Sequence, residues 1–138
     1  MHYWLVKTEP GEYSADDLER EARTVWSGVN NPLAQKHLRA MHPGDEVLVY
    51  HTGDERAIVA VAKVGTQPRP DPDDPSGRTH VVDVEFLRRL PRPVPLADVK
   101  ADEFFADFAL VRQGRLSVMP VTPAQWKRLL ALADRPAG

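Results

Sequence analysis

The chain of 138 residues has no cysteine. That excludes thiol nucleophiles, iron–sulfur clusters, thiolate zinc sites and a disulfide-stapled secreted scaffold. Long apolar runs are missing too: the longest are five or six residues, against roughly 20 for a membrane-spanning helix. The N-terminal segment Met1-His2-Tyr3-Trp4-Leu5-Val6-Lys7 lacks the charged n-region, apolar h-region and cleavage site of a secretory leader. A cytoplasmic protein with no membrane partner is the expectation. Charge of one sign is also scarce. Residues 1–65 carry 7 basic and 10 acidic side chains, leaving −3, and residues 66–138 carry 11 and 10, leaving +1. Neither half has the basic excess of a protein held on nucleic acid by wide phosphate neutralisation.

Sites for chemistry are equally thin. The five histidines, His2, His37, His42, His51 and His80, form neither His-x-His nor His-Glu-x-x-His, so no metal is expected. Asp71, Asp73 and Asp74 lack the glycine and distal glutamate of a calcium loop. The four serines, Ser14, Ser27, Ser76 and Ser117, sit in no nucleophile elbow, and no glycine-rich phosphate cradle occurs. Adjacent carboxylates such as Asp16-Asp17 and Asp45-Glu46 point to different faces. The residues do not read as an enzyme, and no cofactor is implied.

What is present is a full-sized core in one domain, residues 1–138. At this mass the folded surface is about 7,200 Å², so about two-thirds of the unfolded chain's surface is buried. Tyr3–Val6 reads as a first strand ending at the Glu9-Pro10-Gly11 turn. Ser14 and Asp17 cap a helix over about 15–21. Asn31-Pro32 is an N-cap followed by proline at N1, opening a helix over Leu33–Met41 with Leu33, Leu38 and Met41 on one face. Strands follow at Val47–Tyr50, Ala57–Val64 and Val81–Phe86. Between the last two lies a Pro/Asp-rich segment, about 66–78, holding four of the 13 prolines and read as a mobile loop. A helical stretch over about 97–108 carries Phe104, Phe105 and Phe108. Arg115–Pro120 reads as a strand. Thr122-Pro123-Ala124-Gln125 is a capping box opening a last helix with Trp126, Leu129, Leu130 and Ala133 on one face. The pattern predicts an α+β domain: a small, mostly antiparallel sheet or barrel with helices outside.

Polar and aromatic residues gather at strand ends and turns. Lys7-Thr8-Glu9-Pro10 follows the first strand, and Trp26-Ser27-Gly28-Val29-Asn30-Asn31 occupies a connection. Tyr50-His51-Thr52 ends the second strand. An indole in a loop beside amide side chains can stack on a flat ring while they read its edge. A core-filling tryptophan fits Trp26 equally well from the residues alone. Trp4 and Trp126 sit on periodic apolar faces and read as core.

Five motifs then carry a family resemblance. They are Trp-x-Gly-Val-x-Asn-x-x-Ala-x-x-x-Leu-Arg-x-Met-x-x-Gly-Asp (Trp26 to Asp45), Tyr-Trp-Leu-x-Lys-Thr-Glu-Pro (Tyr3 to Pro10), Tyr-His-Thr (Tyr50 to Thr52), Val-Asp-Val (Val82 to Val84) and Arg-Leu-Ser-Val-x-Pro-Val-Thr (Arg115 to Thr122). Together they resemble the EVE domain of the PUA-like superfamily, related to YTH and ASCH domains. The resemblance implies a small curved β-barrel flanked by helices. It also implies non-catalytic binding of a nucleic-acid base, a modified one in RNA or DNA, in an aromatic-walled pocket. Trp26 becomes a wall, and Ser27, Gly28 and Val29 a loop against the base. Asn30 and Asn31 become edge or loop-holding residues, with Lys7, Thr8, Tyr50, His51 and Thr52 around them. Arg115 and Ser117 become a rim for phosphate. Asn30 stands where the family usually has arginine, and Pro32 where tyrosine is common, which removes a bidentate donor. Two other readings remain: a hydrolase of modified nucleosides or nucleic acid using Lys7 and Glu9, and a protein-interaction module with Trp26 in the core.

Overall fold

The computed structural model describes residues 1–134, so the last four residues of the expected domain lie outside it. In chain order the elements are β1 (Tyr3–Thr8), α1 (Ala15–Glu21), β2 (Arg23–Trp26), α2 (Pro32–Arg39), β3 (Glu46–His51), β4 (Ala57–Val64) and β5 (Arg69–Pro70). Then come β6 (His80–Pro95), α3 (Leu96–Ala101), a 3-10 turn (Glu103–Phe105), α4 (Ala109–Arg112), β7 (Val118–Val121) and α5 (Pro123–Ala133). The accessible surface is 7567 Å², close to the value expected from mass.

All seven strands join in the order β2-β6-β4-β3-β1-β7, with β5 pairing beside them on β6. Among the described residues only β1 and β3 run parallel; every other pairing is antiparallel. The mixed α+β class therefore holds, but the barrel does not. Among the described residues β2 pairs only with β6, and β7 only with β1. The two end strands, of four residues each, do not pair with one another. Helix α2 packs instead against both β6 and β7 and covers the interior there. The result is a curved, open sheet.

Several elements differ from the sequence reading: β5 lies inside the segment read as a loop, α4 is an additional helix, and β7 starts at Val118 rather than Arg115. Strand β2 was hidden in the connection before Trp26, because four residues with alternating exposure give little apolar signal. Strand β6 runs on from Phe86 to Pro95 through two register shifts against β4, which lets a proline-containing stretch stay paired. The single helix over 97–108 is broken where the Asp102 side chain caps a new 3-10 turn by accepting from the Phe104 N–H. Phe105 and Phe108 are buried there, while Phe104 is exposed.

The helix caps follow the sequence. Ser14 with Asp17, and Thr122 with Gln125, form reciprocal capping boxes, and the Asn31 side chain accepts from the Leu33 and Ala34 N–H groups. On α2, which stops at Arg39 short of the expected Met41, Ala34 and Leu38 are buried, Met41 is buried just past the helix end, and Leu33 is exposed. Gln35 also turns inward. Its amide donates to the carbonyls of Val29 (2.7 Å) and His80 (3.2 Å) and accepts from the His80 N–H (2.9 Å), so its burial costs no unmet hydrogen bond. On α5, Leu132 takes the buried place expected of Leu130.

Central strand β4 buries every residue except Lys63. A second anchor lies at the other end of β1. Buried Asp45 accepts from the Trp4 indole N–H (2.9 Å), the His42 N–H (2.9 Å) and the His2 N–H (3.2 Å). Burial alone would raise its pKa, but these donors outweigh it and hold the carboxyl below its ordinary value.

Candidate functional site

The open side of the sheet leaves a cavity of about 300 Å³ lined by Thr8, Tyr13, Thr24, Val25, Trp26 and Ser27. Thr8 comes from the end of β1, the threonine–tryptophan wall from β2, and Tyr13 from the turn leading into α1. Ala22, at φ 68°, swings the chain from α1 directly into β2, which sets both aromatics on one corner. Their rings meet edge to face, with centroids 6.3 Å apart and planes at 90°, the arrangement aromatic quadrupoles favour. Trp26 is 7% exposed, yet its indole N–H has no hydrogen-bond partner among the described residues and is not among the buried unpaired atoms.

Polar groups around the cavity are held by the fold. The Thr8 hydroxyl donates to the Tyr13 carbonyl at 2.6 Å, and the Tyr13 hydroxyl donates to Glu21 at 3.2 Å. Burial raises the Tyr13 phenol pKa above its usual value against the opposing hydrogen bond from Thr24. No lining residue carries a formal charge. The nearby cations on α1 and β2 are neutralised: Arg20 pairs with Asp17, and Arg23 with Asp83 (2.8 Å) and Glu85 (3.0 Å). Arg89 likewise pairs with Asp16 at 3.0 Å. No group of three or more His, Asp or Glu side chains among the described residues could hold a metal ion, and no helix among them is long and apolar enough to cross a membrane.

Of the residues singled out in the sequence, the structure gathers Thr8, Trp26 and Ser27 at this cavity. Gly28 and Asn30 lie in an adjoining depression of about 420 Å³, beneath the 71–79 loop. Gly28 has φ +77° with open space beside it, so the backbone turn is what requires glycine. The facing loop is acidic. Asp74 accepts from the backbone and hydroxyl groups of Ser76 and Thr79, which holds its carboxyl far below the usual range.

Val29 is buried and Asn31 caps α2. His51 is buried against the start of α1, where its Nε2 accepts from the Ala15 N–H at 3.0 Å. Thr52 ties its N–H to the Thr8 carbonyl at 2.9 Å. Lys7 and Tyr50 are register partners on the sheet face opposite Thr8. The Lys7 ammonium donates to the Gly114 carbonyl (2.9 Å) and lies 5.5 Å from the Tyr50 ring centroid. Burial pushes the Lys7 pKa down and the Tyr50 pKa up. The Lys7 N–H donates to the Ser117 carbonyl at 2.9 Å, which brings the exposed Arg115 alongside the end of β1. Strand β1 stops at Thr8, so exposed Glu9 is not held on the face of Lys7.

Sequence reasoning missed Tyr13, Thr24 and Val25, which complete the wall, and Gln35, which holds the Val29 carbonyl. Tyr13 had one legible signal: an aromatic placed between a strand-ending Pro-Gly turn and a helix cap.

A family model for the EVE domain matches residues 2–132. The chain belongs to the EVE domain family. Among solved structures, a Rhodopseudomonas palustris protein determined by NMR is 39% identical, with a TM-score of 0.91 over 96% of this chain and 93% of that one. The human THYN1 protein, crystallised in complex with DNA containing 5-methylcytosine, is 26% identical with a TM-score of 0.90, covering 99% of this chain and 100% of that one. Human thymocyte nuclear protein 1 is 29% identical across 96% of this EVE chain and 74% of its own length.

Proposed function

We propose that this EVE domain binds a single nucleic-acid base, a chemically modified one, in the cavity beside the Trp26–Tyr13 corner, and performs no chemistry on it. The observation that carries the reading is the uncharged cavity of about 300 Å³ with an edge-to-face aromatic corner, set at the opening of the sheet. That volume is at the small end of ligand pockets and suits one ring system. The human relative crystallised with DNA containing 5-methylcytosine supports the same direction.

A base extruded from a strand stacks against the wall and gains roughly 1–3 kcal/mol. The unpartnered Trp26 N–H and the Ser27 hydroxyl offer a donor and a donor–acceptor pair to its edge. A methyl group filling the apolar part of the wall adds only about 1 kcal/mol, so polar readout must supply the rest of the discrimination. Phosphates take the side of exposed Arg115, since the α1–β2 side has its cations paired and the 71–79 loop is acidic.

The test is a titration of short single-stranded DNA and RNA, each with one modified or one plain cytosine, followed by tryptophan fluorescence. Tighter binding of the modified strand, abolished by Trp26→Ala, is the expected outcome. Equal affinity of the two proteins for every strand would overturn the pocket.

A further inference from the structure

We infer that His51, which does not line the cavity, is a positioning residue that holds Tyr13 at the aromatic corner; this rests on the base-binding reading above. An amide N–H can only donate, so Nε2 of His51 accepts from Ala15 and carries no proton. The neutral ring's proton therefore sits on Nδ1 and is donated to Glu55 at 2.7 Å. His51 is 5% exposed, and both ring nitrogens are spent on this bridge.

Ala15 is the first residue of α1, two past Tyr13, and its N–H is one that the helix itself cannot satisfy. The intervening Ser14 is locked by its capping box with Asp17. Tyr13 is otherwise tied by its own N–H to the Glu9 carbonyl (2.9 Å) and by its carbonyl to the Thr8 hydroxyl (2.6 Å). The first of these ties lies within the turn, so it moves with the turn. Among the described residues, Thr8 and His51 fasten the backbone around Tyr13 and the start of α1 to strand ends of the sheet, while the Tyr13 side chain rests on Trp26 and Glu21. His51 ends β3, beside β1 in parallel register with Thr8, so the two fastenings come from adjacent strand ends. Through Glu55, in the β3–β4 loop, the bridge reaches an exposed carboxylate that belongs to neither cavity wall.

Two substitutions separate the halves of the bridge. In His51→Gln the side-chain carbonyl reaches the place of Nε2 and can still accept from Ala15. In His51→Asn the shorter amide can still donate to Glu55 but leaves the Ala15 N–H without a partner. The probe is a short single-stranded DNA carrying one 5-methylcytosine. The expected result is a roughly tenfold loss of affinity in His51→Asn and a change within about twofold in His51→Gln, with both melting lower than wild type. Equal weakening by the two, or none in His51→Asn while Trp26→Ala abolishes binding, overturns the inference.

Amide hydrogen exchange without nucleic acid reads the latch apart from the base pocket. Faster exchange at Tyr13 and Ala15 in His51→Asn alone supports the latch, and unchanged rates overturn it. If His51→Asn does not fold, Glu55→Ala on the exposed loop serves instead. It should raise the same exchange rates about two- to threefold, and no change there overturns the inference.

Discussion

Trp4 and Trp26 are buried almost equally, at 6% and 7% exposure, but they occupy different physical situations. Trp4 spends its indole N–H on buried Asp45, in a knot that ties β1 to the residues after α2 and to the start of β3. Trp26 sits on an end strand, meets Tyr13 edge-on and leaves its N–H without a partner beside a cavity. A buried tryptophan normally finds a hydrogen-bond acceptor. Burial alone therefore does not separate the two tryptophans; the use made of the polar handle does.

The comparison can be broken from either side. Asp45→Asn should have the largest effect, a loss of about 2–3 kcal/mol in unfolding free energy by denaturant titration, with affinity of the folded protein for base unchanged. Its pH dependence has a definite sign. The folded carboxyl has a lowered pKa, so its stabilisation is complete above the unfolded value of about 3.9 and fades as pH falls through the folded value. The gap between wild type and Asp45→Asn should therefore narrow only below about pH 4.

Trp26→Ala should act on the opposite quantity, weakening base binding by roughly ten- to hundredfold in the fluorescence titration. Trp4→Phe keeps the ring but removes one donor from Asp45. It should cost about 1 kcal/mol of stability, read by thermal unfolding, without touching affinity. The smallest effect falls on the rim. Arg115→Ala should weaken strand binding about two- to threefold and lower the slope of log Kd against log salt by about 0.7. Loss of affinity in Trp4→Phe, or its retention in Trp26→Ala, would dissolve the distinction.

Much of the scaffold was legible because it rests on local rules. Ser14 and Asp17, Thr122 and Gln125, and Asn31 before Pro32 each cap the helix the sequence assigned to them. The all-apolar run of β4 reads as a central strand and is one. Four-residue β2 and the proline-bearing half of β6 escaped, because their pairing depends on partners about 60 residues away or on register shifts.

The same division runs through the site. Trp26, Ser27 and Thr8 could be singled out as unusual residues at chain reversals. Tyr13 could not be joined to them, since its place depends on Ala22 turning α1 into β2 and on a hydroxyl reaching back from Thr8. Asn31 shows the converse: its local signal as a cap and its family position as a base reader pointed to different roles, and its side chain is occupied by the cap.

An unclosed sheet also has two borders, and borders of unpaired backbone invite other chains to add themselves as strands. This fold limits that hazard at both. Strands β2 and β7 stop after four residues, which offers an incoming strand little length to register against. Pro120 removes one donor from β7. Strand addition along either border is thereby disfavoured.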